Sequence, residues 1–455
     1  MDLVIENALV FTGGRLVPAD VGVAQGRVAA LGRIEGPASE RLDAAGLWLL
    51  PGAVDAHFHC RTPGHEERGD FASETRAAAA GGTTTILEMP ISKPGCATPA
   101  IFRDRRALIE QQAIIDVGLY GAPGTLIRED VLGMAAEGAV AFKIFMHRAP
   151  LGREDEFIGI CLPEDEQLYQ ALKLTKETGL RLVAHCESDS MLEAGIERLR
   201  ATGRHDFAAH GESRPGVVEA VAVARLLTLA EDVGAPVHVA HVTCEQALRI
   251  IRRFRRDGLD VTAETCPHYL FFDEDEVRAH GAFAKINPPI RSSRDRTALW
   301  AALADGTLDL VTTDHAPYVL EEKQRDSIWR TPAGAPGAQA LLPSMLSAAL
   351  EGGLPLARAI ELIAEGPART FGLEGRKGAI ALGADADFCL FDPQARTRFT
   401  RNQMHSKAAE VDRIYLDTEF QGRVVATLSR GRVVFRDGQI LAESGSGRFL
   451  SATTR

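Results

Sequence analysis

The chain has 455 residues, 45% hydrophobic and 25% charged, as in folded globular proteins, which excludes disordered and fibrous classes. With 51 Lys and Arg against 62 Asp and Glu, the formal net charge is −11, which argues against a nucleic-acid-binding surface. No apolar run approaches the ~20 residues of a membrane span, and at roughly 150 residues per domain the length fits three domains or one large barrel with an appendage.

In chain order, residues 3–11 (LVIENALVF) and 21–34 (VGVAQGRVAALGRI) read as short β-branched strands separated by glycine turns. Eight apolar runs follow: 48–59, 83–90, 114–122, 139–146, 180–187, 235–242, 259–267 and 308–317. Their hydrophobicity is continuous rather than alternating, the pattern of strands buried on both faces. Helical segments fall between them. ETRAAAAGG (74–82) and DEQLYQALKLTKETG (165–179) stop at glycine, VVEAVAVARLLTLAEDVG (217–234) has a wide apolar stripe, and CEQALRIIRRFRRDG (244–258) ends in basic residues. Residues 378–391 and 422–435 return to short strands, and the tail 443–455 (ESGSGRFLSATTR) is expected to be loosely ordered.

Eight βα units predict an α/β protein, a (β/α)₈ TIM barrel over residues 51–377 with its site at the C-terminal ends of the strands. Both chain ends, 1–50 and 378–455, would pack as a small β-sandwich. Periodicity cannot count closure, so a doubly wound sheet stays open. Seven cysteines, few and odd in number, point to a reducing cytoplasm rather than a disulfide framework. The opening MDLVIEN has no positive n-region, so no signal peptide is expected.

Polar residues collect at the ends of the predicted strands. His57 and His59 are two apart and share one strand face with Asp55. His185 ends the fifth run, His241 the sixth, and Asp314 lies near the end of the eighth. Imidazole and carboxylate donors together suit Zn²⁺, and less uniquely Mn²⁺ or Fe²⁺. An HxH pair alone is a weak motif; the pair with two single histidines and an aspartate on separate strand ends is a strong one. His238 has the opposite parity to His241 and reads as a hydrogen-bonded core residue. His65, His147, His205, His210, His280 and His405 fall in loops or helices and are expected at the surface.

Lys143 lies in VAFKIFM, where an unpaired buried ammonium would cost several kcal/mol. A buried partner, a lowered pKa or conversion by CO₂ to a carbamate would each relieve that cost; a lysine snorkelling at the barrel rim is the plain alternative. With the other candidate ligands beside it, a carbamate bridging two cations is the favoured reading.

The chain resembles the amidohydrolase superfamily, and within it the cyclic amidohydrolases: dihydroorotase, allantoinase and hydantoinase/dihydropyrimidinase. The resemblance covers nearly the whole chain, through LVIENALVF, PGAVDAHFH, GGTTTILEMP, FKIFM, VAHCE, VAHVTCEQA, ETCPHYL, KINPPIR, TTDHAP and KGAIALGADADFCLFD. It implies a metal-dependent hydrolase that opens a small cyclic amide at a ring C–N bond. His57, His59 and Asp314 would hold the more buried of two divalent ions, most simply Zn²⁺. His185 and His241 would hold the more exposed one, and carboxylated Lys143 would bridge them. Asp314 would take a proton from the attacking hydroxide and deliver it to the departing nitrogen. The family also implies a homo-oligomer, a dimer or a tetramer.

The motifs divide over which ring is opened. Arg61, in HFHCRTPG, resembles the dihydroorotase arginine that grips a substrate carboxylate, a task suited to a bidentate guanidinium. Asn287 in KINPPIR would hydrogen-bond a ring amide, and His315 in TTDHAP lies in a loop placed to close around the acid group. Ile91 stands where dihydroorotases carry Asn, and Arg148 stands where hydantoinases carry Tyr. Arg148 reads either as a second anion contact or as a solvated loop arginine. FKIFM and TRAAAAGGTTT lean toward allantoinases and hydantoinases, yet Arg61 would meet no carboxylate in neutral allantoin. A carboxylate-bearing cyclic amide or imide other than dihydroorotate fits the mixture. Cys266, His268, Gly334 and Gly337 read as pocket lining or ordinary packing and turns. A non-catalytic scaffold relative would have lost ligands that are all present here, and a mononuclear deaminase would not need Lys143.

Overall fold

The computed structural model describes residues 1–452. The β-branched opening forms an antiparallel meander of β1 (Leu3–Thr12), β2 (Arg15–Ala24) and β3 (Arg27–Gly32), with β4 (Glu40–Asp43) and β5 (Trp48–Pro51) lying parallel to β1. One residue beyond β5 the chain enters a second sheet. Its strands are β6 (Ala53–Phe58), β7 (Thr83–Glu88), β8 (Asp116–Gly121), β9 (Ala141–Phe145), β10 (Leu182–His185), β11 (Val237–Val239), β12 (Val261–Thr265) and β13 (Leu310–Val311). All eight are parallel and neighbour one another in sequence order. A bridge between Phe58 and His315 brings the two ends of the row together, with His59 N–H donating to the His315 carbonyl at 2.9 Å. The nearly closed barrel settles the question of closure that periodicity left open.

The covering helices begin with α1 (Phe71–Ala80), α2 (Pro99–Gln112), α3 (Arg128–Ala136), α4 (Asp165–Glu177), α5 (Asp189–Ala201), α6 (Phe207–Ser213), α7 (Gly216–Val233) and α8 (Glu245–Arg256). Asp70 caps α1 by accepting from Ser73 N–H at 2.7 Å, and α7 stops at Gly234 in the left-handed conformation, φ 66°. In α8 the sequence separates cleanly: Ala247, Leu248, Ile251 and Phe254 are buried, while Arg253, Arg255 and Arg256 sit at the C-terminal turn, where the helix dipole favours cations. The barrel strands are therefore covered on both faces, which is why they carry no hydrophobic alternation.

After the barrel, β14 (Phe388–Arg398), β15 (Glu419–Ser429), β16 (Arg432–Arg436) and β17 (Gln439–Ile440) join the opening strands in one nine-stranded, mostly antiparallel sheet. Leu3, Ile5, Val21, Val23, Leu49, Phe388 and Leu428 build its separate core. The expected loose tail differs as far as it is described: β18 (Phe449–Leu450) pairs with β8 of the barrel, and Arg448 N–H donates to Asp116 at 3.0 Å, while 453–455 lie outside the described residues. Beneath the barrel, Lys377 Nζ lies 2.6 Å from Asp116, 2.5 Å from Asp387 and 3.1 Å from Asp385, tying barrel and sheet domain through buried charge.

Two barrel strands are shorter than the sequence predicts. β11 ends before His241, and β13 ends before Asp314, so these two residues stand on the loops just beyond the strands. Both have positive φ, 37° for His241 and 45° for Asp314, and so does Arg61 at 65°. A left-handed backbone at a non-glycine residue costs about 1–3 kcal/mol and is retained where a side chain must be aimed.

Candidate metal centre and active-site cavity

His57 comes from β6 and His59 from the residue just past its end. Both point Nε2 at Asp314 Oδ1, at 3.2 and 3.3 Å. Across the mouth, His185 Nδ1 faces His241 Nε2 at 3.0 Å. The rings of His57 and His241 are 5.3 Å apart, so the two groups share one floor. Burial drives the pKa of His59 and His241 well down and that of His185 to about 3, keeping these rings neutral as metal ligands must be.

Lys143 is fully buried between the groups, and its Nζ has no hydrogen-bond partner among the described residues. Burial lowers its pKa to about 8, against the opposing pull of Glu264 and Asp314. The lysine is thus neither snorkelling nor paired. An amine in that setting is a nucleophile toward CO₂, and the resulting anion would satisfy both the orphaned position and neighbouring cations.

Three carboxylates hold this arrangement. His57 Nδ1–H donates to Glu264 Oε1 at 2.5 Å. Burial would raise the Glu264 pKa, but His57 and His238 outweigh it and hold it well below the usual carboxylate range. His185 Nε2–H donates to Glu187 at 2.8 Å, and Arg214 lies 3.1 Å behind. Asp55 accepts from Thr313 N–H at 3.0 Å and from the Thr313 hydroxyl at 2.5 Å, fixing the turn that presents Asp314. Asp55 thus faces the same way as the HxH pair but serves the turn. Glu264 and Glu187 went unread in the sequence, although a lone acid in an apolar strand (ETCPHYL) and one two residues past His185 (HCE) are both signals of a ligand's support.

The centre lies in a cavity of about 700 Å³, within the range of small-molecule sites. Nine Arg and Lys side chains line it against five Asp and Glu, reversing the sign of the whole chain. Arg61 is buried in its wall. One Arg61 amino group donates to Tyr318 OH at 3.1 Å; Nε and Nη1 have no partner among the described residues. Tyr318 gathers cations: Arg61, Arg68, Arg153 and Lys323 all lie within 5.5 Å of its ring centre. Glu156 and Glu322 neutralise Arg68, and Glu156 also neutralises Arg153, but Arg61 has no carboxylate. Asn287 lines the cavity with its Oδ1 buried and unpartnered. Arg148 stands at the mouth, 60% exposed, on Asp189 at 2.7 Å and Glu193 at 2.8 Å.

Other expected positions differ. His315 does not line the cavity: its Nε2–H donates to Glu74 at 2.8 Å and its Nδ1 accepts from Gly337 N–H at 3.0 Å. Both nitrogens are committed, so its part is to position the loop after Asp314. Cys266 and His268 are packed in the core outside the cavity wall, whereas Ile91 lies in that wall. Gly334 lines the wall at φ 135°, and a Cβ there would meet Ala316 at 2.7 Å. Gly337 lies behind the wall, giving its N–H to His315. His238 is a core residue as expected, bonded to Thr262 at 2.8 Å. His147 and His210, expected at the surface, are 5% and 1% exposed. No helix among the described residues is long and apolar enough to cross a membrane.

The family model described as "Amidohydrolase family" matches residues 48–434. An allantoinase of Rubrobacter xylanophilus is 38% identical, the alignment covering 99% of this chain and 97% of that one. A dihydroorotase of Methanothermobacter thermautotrophicus is 34% identical over 99% and 97%. Among solved structures, an L-hydantoinase (dihydropyrimidinase) from Arthrobacter aurescens superposes with a TM-score of 0.93 at 31% identity, covering 99% of each chain.

Proposed function

The chain belongs to the amidohydrolase family, and from that premise we propose that it hydrolyses a ring C–N bond of a cyclic amide at a centre of two divalent cations. The observation that carries the reading is the convergence of His57, His59 and Asp314 with His185 and His241 around an unpartnered, buried Lys143. Neutral imidazoles and an aspartate suit Zn²⁺. His57, His59 and Asp314 would hold the more buried ion, His185 and His241 the more exposed, and Lys143 as its carbamate would join them. When bound, such a pair supplies a water deprotonated near neutral pH and a polarised carbonyl.

The chain's own groups do the rest. Asp314 takes on its carboxylate the one proton left on the attacking hydroxide and returns it to the departing ring nitrogen. Burial, with Glu264 nearby, raises the Asp314 pKa above its ordinary value although His57 and Lys143 pull it down; bound cations would lower it further and keep it ionised. Glu264 and Glu187 keep the imidazoles aimed.

The substrate reading is a ring that bears a carboxylate. Two unpartnered nitrogens of buried Arg61, Nε and Nη1, in a cavity rich in cations, suit an anion, and Asn287 suits a ring amide. Arg148, already held by two carboxylates, stays a rim residue. The second reading is a neutral ring, favoured by the 38% identity to an allantoinase and by Ile91 in the wall. The enzyme would work as a dimer or tetramer in the cytoplasm. Turnover of dihydroorotate, allantoin, hydantoins, dihydrouracil and cyclic imides, compared on one preparation, tests both readings: only acid-bearing rings should show high kcat/KM.

A further inference from the structure

A second ligand-type side chain lies two residues past the end of β9. Lys143 and Phe145 alternate on one face of β9, and His147, two residues on in KIFMH, lines the same cavity as Phe145. Phe145 stacks on His185 with ring centres 4.6 Å apart, and the His147 ring stands edge-on to His185 at 4.9 Å. His185 and His241 are separated by a similar 4.6 Å.

The hydrogen bonding of His147 fixes its chemistry. Nδ1 lies 2.6 Å from the Arg148 carbonyl oxygen, which can only accept, so Nδ1 carries the proton and Nε2 the lone pair. Nε2 is buried and has no partner among the described residues. Buried acceptors without a partner are rare in folded proteins. The same division holds at His57 and His185, each of which gives one N–H to an oxygen and turns its other nitrogen toward the centre. Metal-binding histidines are built this way. A nitrogen of His147 lies within 4.8 Å of potential ligand atoms on His185 and Glu187. Glu187 is already taken by His185 and Arg214, which leaves the imidazole as the free donor.

We propose that His147 is a third imidazole ligand of the more exposed cation, beside His185 and His241. The inference rests on the two-cation reading. It makes the exposed position a site with three histidines, one that retains its ion more firmly than two histidines and a bridge would.

Cobalt(II) is the probe. Metal-free wild type, His147→Ala and His147→Gln are titrated with Co²⁺ against a competing chelator, with the visible absorption recorded at each equivalent. Both variants should bind the first equivalent as wild type does and bind the second at least tenfold more weakly, with an altered second-equivalent spectrum. Unchanged second-site affinity and spectrum would overturn the proposal. So would loss of a third equivalent with the first two intact, because that would put the ion on Glu187. Wild type that takes fewer than two ions would overturn the two-cation reading itself, and with it this one. Thermal unfolding of the metal-free proteins reports folding, and the glutamine variant keeps a polar side chain of similar length should alanine not fold.

Discussion

Glu264 accepts a 2.5 Å hydrogen bond from His57 Nδ1 although the two residues are 207 positions apart, so the seventh barrel strand aims a side chain of the first. The bond fixes which His57 nitrogen is free for a cation. Glu264→Gln should keep the fold but weaken binding of the more tightly held ion by about 10- to 100-fold, the usual effect of removing a ligand's support. Metal titration of the metal-free variant measures this.

Asp314 is assigned the proton transfer. Asp314→Asn should lower kcat by about 10²- to 10⁴-fold, the typical contribution of a positioned acid–base group, while KM changes little. Steady-state kinetics at saturating metal check this; loss of metal alone would show as activity restored by excess ion.

On the proposed reading, Arg61 would offer its unpartnered Nε and Nη1 to an anion. Arg61→Met should cost acid-bearing rings about 1.5–3 kcal/mol of binding, the worth of hydrogen bonds to a charged group. That is roughly 10- to 150-fold in kcat/KM. Neutral rings should be unaffected. Equal losses on both substrate classes would dismiss the carboxylate contact.

Far from the cavity, Lys377 sits among Asp116, Asp385 and Asp387, a carboxylate trio that resembles a metal site but is filled by the ammonium. Burial would raise the Asp116 pKa, but Lys377 and Arg430 outweigh it and hold it below the normal value. A depressed folded pKa gives stability that is present above the unfolded value near 3.8 and is lost as pH falls through the folded value. Lys377→Met should destabilise the protein by about 3–5 kcal/mol at pH 7. In the variant the crowded carboxylates have raised pKa values, so lowering the pH protonates them and relieves their repulsion. The deficit against wild type should therefore shrink between pH 7 and 4, as urea unfolding at several pH values would reveal.

The residues that converge at the candidate centre were legible because strand parity and strand ends are local facts: His57 with His59, His185, His241, Asp314 and Lys143 all stand out in apolar runs. Closure of the barrel was not, since it depends on Phe58 meeting His315 across 257 residues of chain. The part played by His315 was hidden for the same reason, because its partners Glu74 and Gly337 come from distant loops. His147 was missed on a local signal: its even spacing from Lys143 was in the sequence, but its place beyond the strand suggested a loop. The tail, polar and glycine-rich, gave no hint that Phe449 and Leu450 would find a free stretch of β8.

The most direct measurement is the number of divalent ions bound per chain, in wild type and in Lys143→Ala, after equilibration with metal and bicarbonate. Two ions are expected in the wild type, and one or fewer in the variant, with turnover lost alongside. Two ions held by Lys143→Ala at wild-type affinity, or full activity in wild type stripped of metal, would contradict it.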